Sequence, residues 1–232
     1  MKFLAPAWAT VMVLSAPLAL AQAPCRSSVA HPPAALFERF ISADCEACWS
    51  DPATPAPGPS ALVLDWVVPG TQGDEAPLSA AALRDAMERL TELGRHPPAG
   101  TDVHTAPVNR HPKARLRVGL GPAVNDYVGA TMVFSPATSP KQHPHTWTFH
   151  LLLVEALPPG AEGTPVARNI VRNMLQGAWT EPDKLSTKER FTGSELRPMR
   201  IPEGALPERL RAVGWVQDDQ GRVVAAAQSV CR

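Results

Sequence analysis

The sequence predicts two units in one chain: an α/β unit over residues 32–110 and a mainly antiparallel, β-sandwich-like unit over residues 111–232. Three observations carry that expectation. Leu36, Phe37, Phe40 and Ile41 make an apolar strand, and Ala61 to Val68 is continuous enough to be a central parallel strand. Leu83, Ala86, Met87, Leu90 and Leu93 then fall on one helical face, ending at Gly94. From Arg115 onward the pattern changes to the period-two alternation of half-buried strands. The 26 Pro in 232 residues, about twice the usual share, argue for loops and edge strands over a helical bundle.

Taken in order, Lys2 and the apolar stretch Phe3 to Leu20, broken by Pro6 and Pro17, read as an export leader over residues 1–21. Ala19-Leu20-Ala21 supplies the small residues of a cleavage site, with the cut after Ala21. Leu151 to Leu157 is interrupted by Glu155, so no membrane span is expected once the leader is removed. The expected destination is the periplasm or the secreted medium. Lys+Arg and Asp+Glu are 22 each, which provides no basic field for nucleic acid.

An exported chain meets an oxidising compartment, where Cys25, Cys45, Cys48 and Cys231 allow three pairings. Cys45 and Cys48 are spaced to close a small ring on one helical turn. Cys25 with Cys231 would join the two ends of the processed chain as a structural disulfide, stabilising by about 5 kcal/mol on loop entropy. Two unpaired thiols or an intermolecular link are the alternatives for that pair.

Cys45-Glu46-Ala47-Cys48 has three chemical readings. A redox-active dithiol needs the first Cys near a helix N-terminus, where the backbone N–H groups favour the thiolate. A structural turn disulfide needs only the spacing. A zinc or copper site is the third; zinc needs a second ligand pair, which no nearby Cys or His forms, and Cu(I) would use the Cys pair itself. The flanking Asp44 and Glu46 oppose thiolate formation by charge, and four Pro between positions 52 and 59 limit the following helix to one or two turns.

An apolar strand, a Cys-x-x-Cys and a helical turn, with Ser79 as cap of the later helix and Val103 to Val108 as a third strand, together form a thioredoxin-type order. Those features, with the downstream segment Leu210 to Asp219 and Gly221 to Ala227, resemble a family of bacterial exported proteins of unknown function. In that family a thioredoxin-like N-terminal half precedes a β-sandwich-like half. The resemblance implies Cys45 as attacking thiol, Cys48 as resolving thiol and Pro107 as the cis-proline analogue.

In the second unit Arg115 to Leu120, Asp126 to Phe134 and Thr146 to Glu155 have strand length, and Asp218-Asp219-Gln220-Gly221 turns a final hairpin. Val166, Ile170 and Met174 recur at four-residue spacing, which leaves helix and strand both open. His143, His145 and His150 are read as solvated, with His150 on the face of Thr146 and Thr148 and Trp147, Phe149 and Leu151 on the core face. Lys113, Arg115 and Arg117 read as a solvated strand edge. Common hydrolase, phosphate-loop and dinucleotide signatures are absent, so no cofactor and no metal is expected. The functional expectation is thiol–disulfide exchange through Cys45 and Cys48 with a protein thiol or disulfide partner. Its alternative is a non-enzymatic binding or envelope-interaction protein with two structural disulfides.

Overall fold

The computed structural model describes residues 25–27, 32–58, 60–137, 146–180 and 191–231; the expected leader, His143 and His145 lie outside them. Two helices and eleven strands are formed by the described residues. In the first half these are β1 (Cys25–Ser27), β2 (Ala35–Ser42), α1 (Glu46–Trp49), β3 (Ala61–Val68), α2 (Arg84–Glu92) and β4 (Thr101–Pro107). The second half supplies β5 (Arg115–Val124), β6 (Tyr127–Ser135), β7 (Thr146–Leu157), β8 (Arg168–Thr180), β9 (Gly193–Arg200), β10 (Leu210–Gln217) and β11 (Val223–Val230).

All eleven strands join in one mixed sheet, ordered β4-β2-β3-β8-β7-β10-β11-β1-β5-β6-β9. This overturns the expected thioredoxin-like α/β domain with a separate β-sandwich. Strand β2 runs parallel to β3, and β3 runs parallel to β8, with Asp65 opposite Ile170, so the sheet passes continuously between the two halves. Helix is scarce for a physical reason legible in the chain. The prolines after Cys48 stop α1 after one turn. The sheet face beneath it is therefore covered by turns: Ala76 joins Ile41, Ala43, Trp49, Val67, Leu157 and Ile170 in one apolar cluster.

Helix α2 covers the opposite face. Its Ala86 and Leu90 pack with Leu36, Phe40, Leu64, Trp66, Val213 and Trp215. The helix begins later than Ser79, because the Ser79 hydroxyl donates back to the carbonyl of Asp74 and residues 79–81 close a separate 3-10 turn. It ends as expected, with Gly94 in the left-handed region at φ 64°. Further along, the sheet folds back so that Val118 and Met132 of β5 and β6 reach Phe149, Leu151 and Val216 of β7 and β10 in the largest cluster. Gly214 permits that approach: a Cβ there would stand 3.0 Å from Val118 Cγ1 and 3.1 Å from the His150 carbonyl.

The open segment 166–175 is strand, part of β8. Positions four apart also share a strand face, so the spacing of Val166, Ile170 and Met174 suited both structures. An irregularity in the β7–β8 register at Leu153/Val154 then moves the pattern across the sheet, so that Ile170 lies in the α1-side cluster and Met174, four residues on, packs against the α2-side cluster.

Candidate dithiol site

Strand β2 is buried along nearly its whole length, so its end is fixed where Ser42-Ala43-Asp44 leads into α1. Cys45 occupies the N-cap of that single turn and is bonded to Cys48, with Cα atoms 5.3 Å apart. The Cys48 N–H points at Cys45 Sγ over 3.2 Å, and both residues are half-buried. The dithiol thus stands at the carboxyl ends of the parallel pair β2 and β3.

Three neighbouring segments hold the turn. Asp44 accepts from the Thr71 N–H at 2.7 Å, the Thr71 hydroxyl at 2.9 Å and the Gln72 N–H at 3.2 Å. Desolvation works against its ionisation, yet these hydrogen bonds prevail and hold the Asp44 carboxyl below its usual range. Its charge is therefore retained, but it ties the end of β2 to the loop after β3. On the opposite side, Gly100 lies against the disulfide: a Cβ there would stand 3.4 Å from Cys48 Sγ, at contact distance. The Gly100 carbonyl accepts from the Ser42 N–H at 2.8 Å.

From below comes Arg168 of β8. It donates to the Trp49 carbonyl at 2.8 Å and the Cys48 carbonyl at 3.4 Å, and its guanidinium lies 5.0 Å from the Trp49 ring centroid. The Trp49 indole N–H donates to the Glu162 carbonyl at 2.7 Å. Asp65 lies between Arg168, at 3.6 Å, and Arg39, at 2.6 Å, and accepts from the Asn169 N–H at 2.7 Å. Two guanidinium groups thus surround one buried carboxylate under the dithiol turn, and Asp51 adds its field to that of Asp65 at Arg168. A cation at the carbonyl end of a helical turn, with N–H groups at the other end, is an arrangement that favours a thiolate at the N-cap.

Sequence reasoning found Cys45 and Cys48 but missed Arg168 and Gly100. Arg168 lay in the segment with no resolved periodicity, and nothing distinguishes it in sequence from Arg172, which pairs instead with Glu155 at 2.6 Å. Pro107 is a correction. No cis peptide occurs among the described residues, and Pro107 lies opposite Ala35 at the beginning of β2. Because β4 runs antiparallel to β2, its start at Thr101, preceded by Gly100, faces the cysteines, and its end does not.

Cys25 and Cys231 are joined, tying β1 to the end of β11, as the structural reading of that pair expected. His150 is also corrected. It is fully buried, stacked on Trp215 with centroids 4.4 Å apart, and its Nε2 is 3.2 Å from Glu92 Oε2. Its face of β7 is covered by α2, which the alternation of β7 alone did not reveal; Phe149 and Leu151 do occupy the opposite core face. Trp66 belongs to the α2 side, stacked with Phe40, whereas Trp49 lies at the dithiol.

No helix among the described residues is long and apolar enough to cross a membrane, and no group of three metal-ligating side chains occurs among them. No protein-family model and no curated protein matches the chain. Among solved structures, HBP35 of Porphyromonas gingivalis is similar over 87% of this chain and 76% of its own length, with a TM-score of 0.47 and 9% identity. A likeness that distant carries no inference about fold or activity.

Proposed function

We propose that this is an exported thiol–disulfide exchange protein, acting through Cys45 and Cys48 on a protein partner in the periplasm or secreted medium. The observation that carries the reading is the Cys48 N–H aimed at Cys45 Sγ in a half-buried disulfide. That donor stabilises negative charge on Cys45 when the bond opens. The Cys45 thiolate attacks one sulfur of a partner disulfide, forms the mixed disulfide and expels the partner's other sulfur as a thiolate, which takes up a proton. Deprotonated Cys48 then attacks Cys45 Sγ, re-forms the internal bond and releases the second partner sulfur. Two electrons pass from the chain to the partner; a partner dithiol drives the same steps in reverse.

The test is the pH dependence of alkylation in the reduced protein, with Cys45→Ser and Cys48→Ser as controls. Exchange requires Cys45 to react faster than Cys48, with an apparent pKa below the free-thiol value of about 8.5. A slow Cys45 with an ordinary or raised pKa sinks this reading. A second reading is favoured by the clamping of the turn by Asp44 and Arg168. In it both disulfides are structural and the chain is a non-enzymatic binding or envelope-interaction protein. A reduction potential below about −300 mV supports the second reading, and a higher one supports exchange.

A further inference from the structure

The far end of the sheet, away from the dithiol, exposes an unusual surface. Val124, Tyr127, Val133, Leu196 and Val230 are 61%, 48%, 38%, 69% and 51% exposed. Register places all five on one side. Val230, Arg26, Gly119, Thr131 and Leu196 form a continuous row across β11, β1, β5, β6 and β9. Beside it run Arg117, Val133 and Ser194, while Val124, Tyr127 and Arg200 form a row at the other end. The intervening positions of β5 and β6, Val118, Leu120, Val128, Ala130, Met132 and Phe134, point inward and are buried. The outward side is therefore a surface of the fold and not a poorly packed core.

Its charge is of one sign. Arg26, Arg115, Arg117 and Arg200 share these rows with no Asp or Glu, and none of the four makes an ion pair among the described residues; Arg115 donates only to the Pro112 and Ala114 carbonyls. A cleft of about 320 Å³ shares Arg115, Arg117 and Val230 with this face and is walled by Leu62 and Ala226. In a chain whose charges balance overall, an exposed face combining unpaired arginines with aliphatic side chains and a tyrosine is exceptional.

We propose that this face docks the protein on an anionic phospholipid bilayer. Aliphatic tips and Tyr127 enter the headgroup boundary, while arginines meet lipid phosphates bidentately and keep their stems against apolar surface. The cleft beside Arg115 and Arg117 receives a phosphate headgroup. A second copy is a poor occupant, since an isologous contact through this face brings arginine rows against each other. The four arginines are spread over three strands, β1, β5 and β9, which suits a sheet of phosphates better than a few acidic side chains.

Co-sedimentation of the processed chain, from Gln22 onward, with vesicles of phosphatidylcholine and phosphatidylglycerol at 3:1 tests the proposal. Binding is expected to fall at least tenfold on phosphatidylcholine alone and at 0.5 M salt. The double variant Arg117→Glu/Arg200→Glu is expected to lose at least tenfold and Arg117→Glu alone at least threefold, while Arg84→Glu, a single reversal at an exposed position of helix α2, keeps parental binding. Should the double variant unfold, Leu196→Ser decides: a loss of threefold or more supports docking, and parental binding overturns it. Equal affinity for the two vesicle types overturns the proposal, as does binding to polyglutamate or self-association in place of vesicle binding.

Discussion

The parallel strands β2, β3 and β8 and the antiparallel ribbon β5–β6–β9 belong to one sheet but live in different solvents. Strand β2 is covered on both faces, and its two central charges point to opposite sides. Glu38 meets Arg89 of α2 at 2.8 and 2.9 Å, and Arg39 meets Asp65 at 2.6 Å on the α1 side. Strand β6 instead alternates buried and accessible positions along its length. An arginine consequently has opposite meanings in the two regions. In the first it is a buried member of an ion pair that fixes strand to helix or turn; in the second, Arg117 and Arg200 are accessible and make no ion pair among the described residues.

The sharpest way to break that contrast is to remove one buried carboxylate. Asp65→Ala strips Arg39, Arg168 and the Asn169 N–H of their shared acceptor. It is expected to cost about 3–5 kcal/mol in urea unfolding, because two guanidinium groups stay buried with too little compensation. Arg117→Ala, on the exposed face of β5, is expected to stay within about 0.5 kcal/mol of the parent. Similar losses in the two variants mean that the regions do not differ as described.

Glycines sharpen the same comparison at smaller scale. Gly214→Val forces a side chain against Val118 and the His150 carbonyl where β10 meets the folded-back ribbon, with an expected cost of about 1–3 kcal/mol. Gly129→Val on the outward side of β6 meets nothing within 4 Å and is expected to be neutral or mildly stabilising, since a β-branched residue suits an exposed strand. Thermal melts of the two variants read the difference directly; a destabilised Gly129→Val places that face inside a contact.

What the sequence revealed follows the same division. Apolar residues disclosed β2 and a continuous apolar run disclosed β3, the latter with the bounds it has; alternation disclosed β5, and strand-length segments between turns disclosed β6 and β7. Strand β9 went unrecognised because Gly193-Ser194-Glu195-Leu196-Arg197-Pro198 has few β-formers and a proline, which an edge strand tolerates where a central one does not. Strand order was hidden too, because the neighbour of β3 lies about a hundred residues downstream and is joined by a single register pair. At the candidate site, Cys45 and Cys48 were evident from spacing. Arg168 and Gly100 were not, since their relation to the sulfurs exists only once β8 and β4 are in place.

The smallest expected effect concerns protons. Burial lowers the His150 pKa from its ordinary 6.5 and Arg89 lowers it further, against the opposing pull of Glu92 and Glu38, so the ring is neutral in the folded chain near pH 7. Trp215 stacks on it from β10, and His104 on β4 is likewise lowered, first by desolvation. Below about pH 6.5 the unfolded chain takes up protons at these two histidines that the folded chain refuses, so stability is full above that value and declines as pH falls. Glu92 adds a loss of the same sign lower down: despite desolvation, its bonds to His150 and Arg89 hold its carboxyl below 4.5, and that stabilisation disappears as pH falls beneath it. Between pH 7.5 and 5.5 these two histidines contribute no more than about 1.4 kcal/mol per unit each. His150→Phe keeps a ring against Trp215 and leaves Glu92 its bond to Arg89; it is expected to flatten part of the decline, and His104→Gln the remainder. If unfolding midpoints measured across that interval are as steep in the double variant as in the parent, the protons are taken up elsewhere, and the buried side of the sheet is no more pH-sensitive than its exposed ribbon.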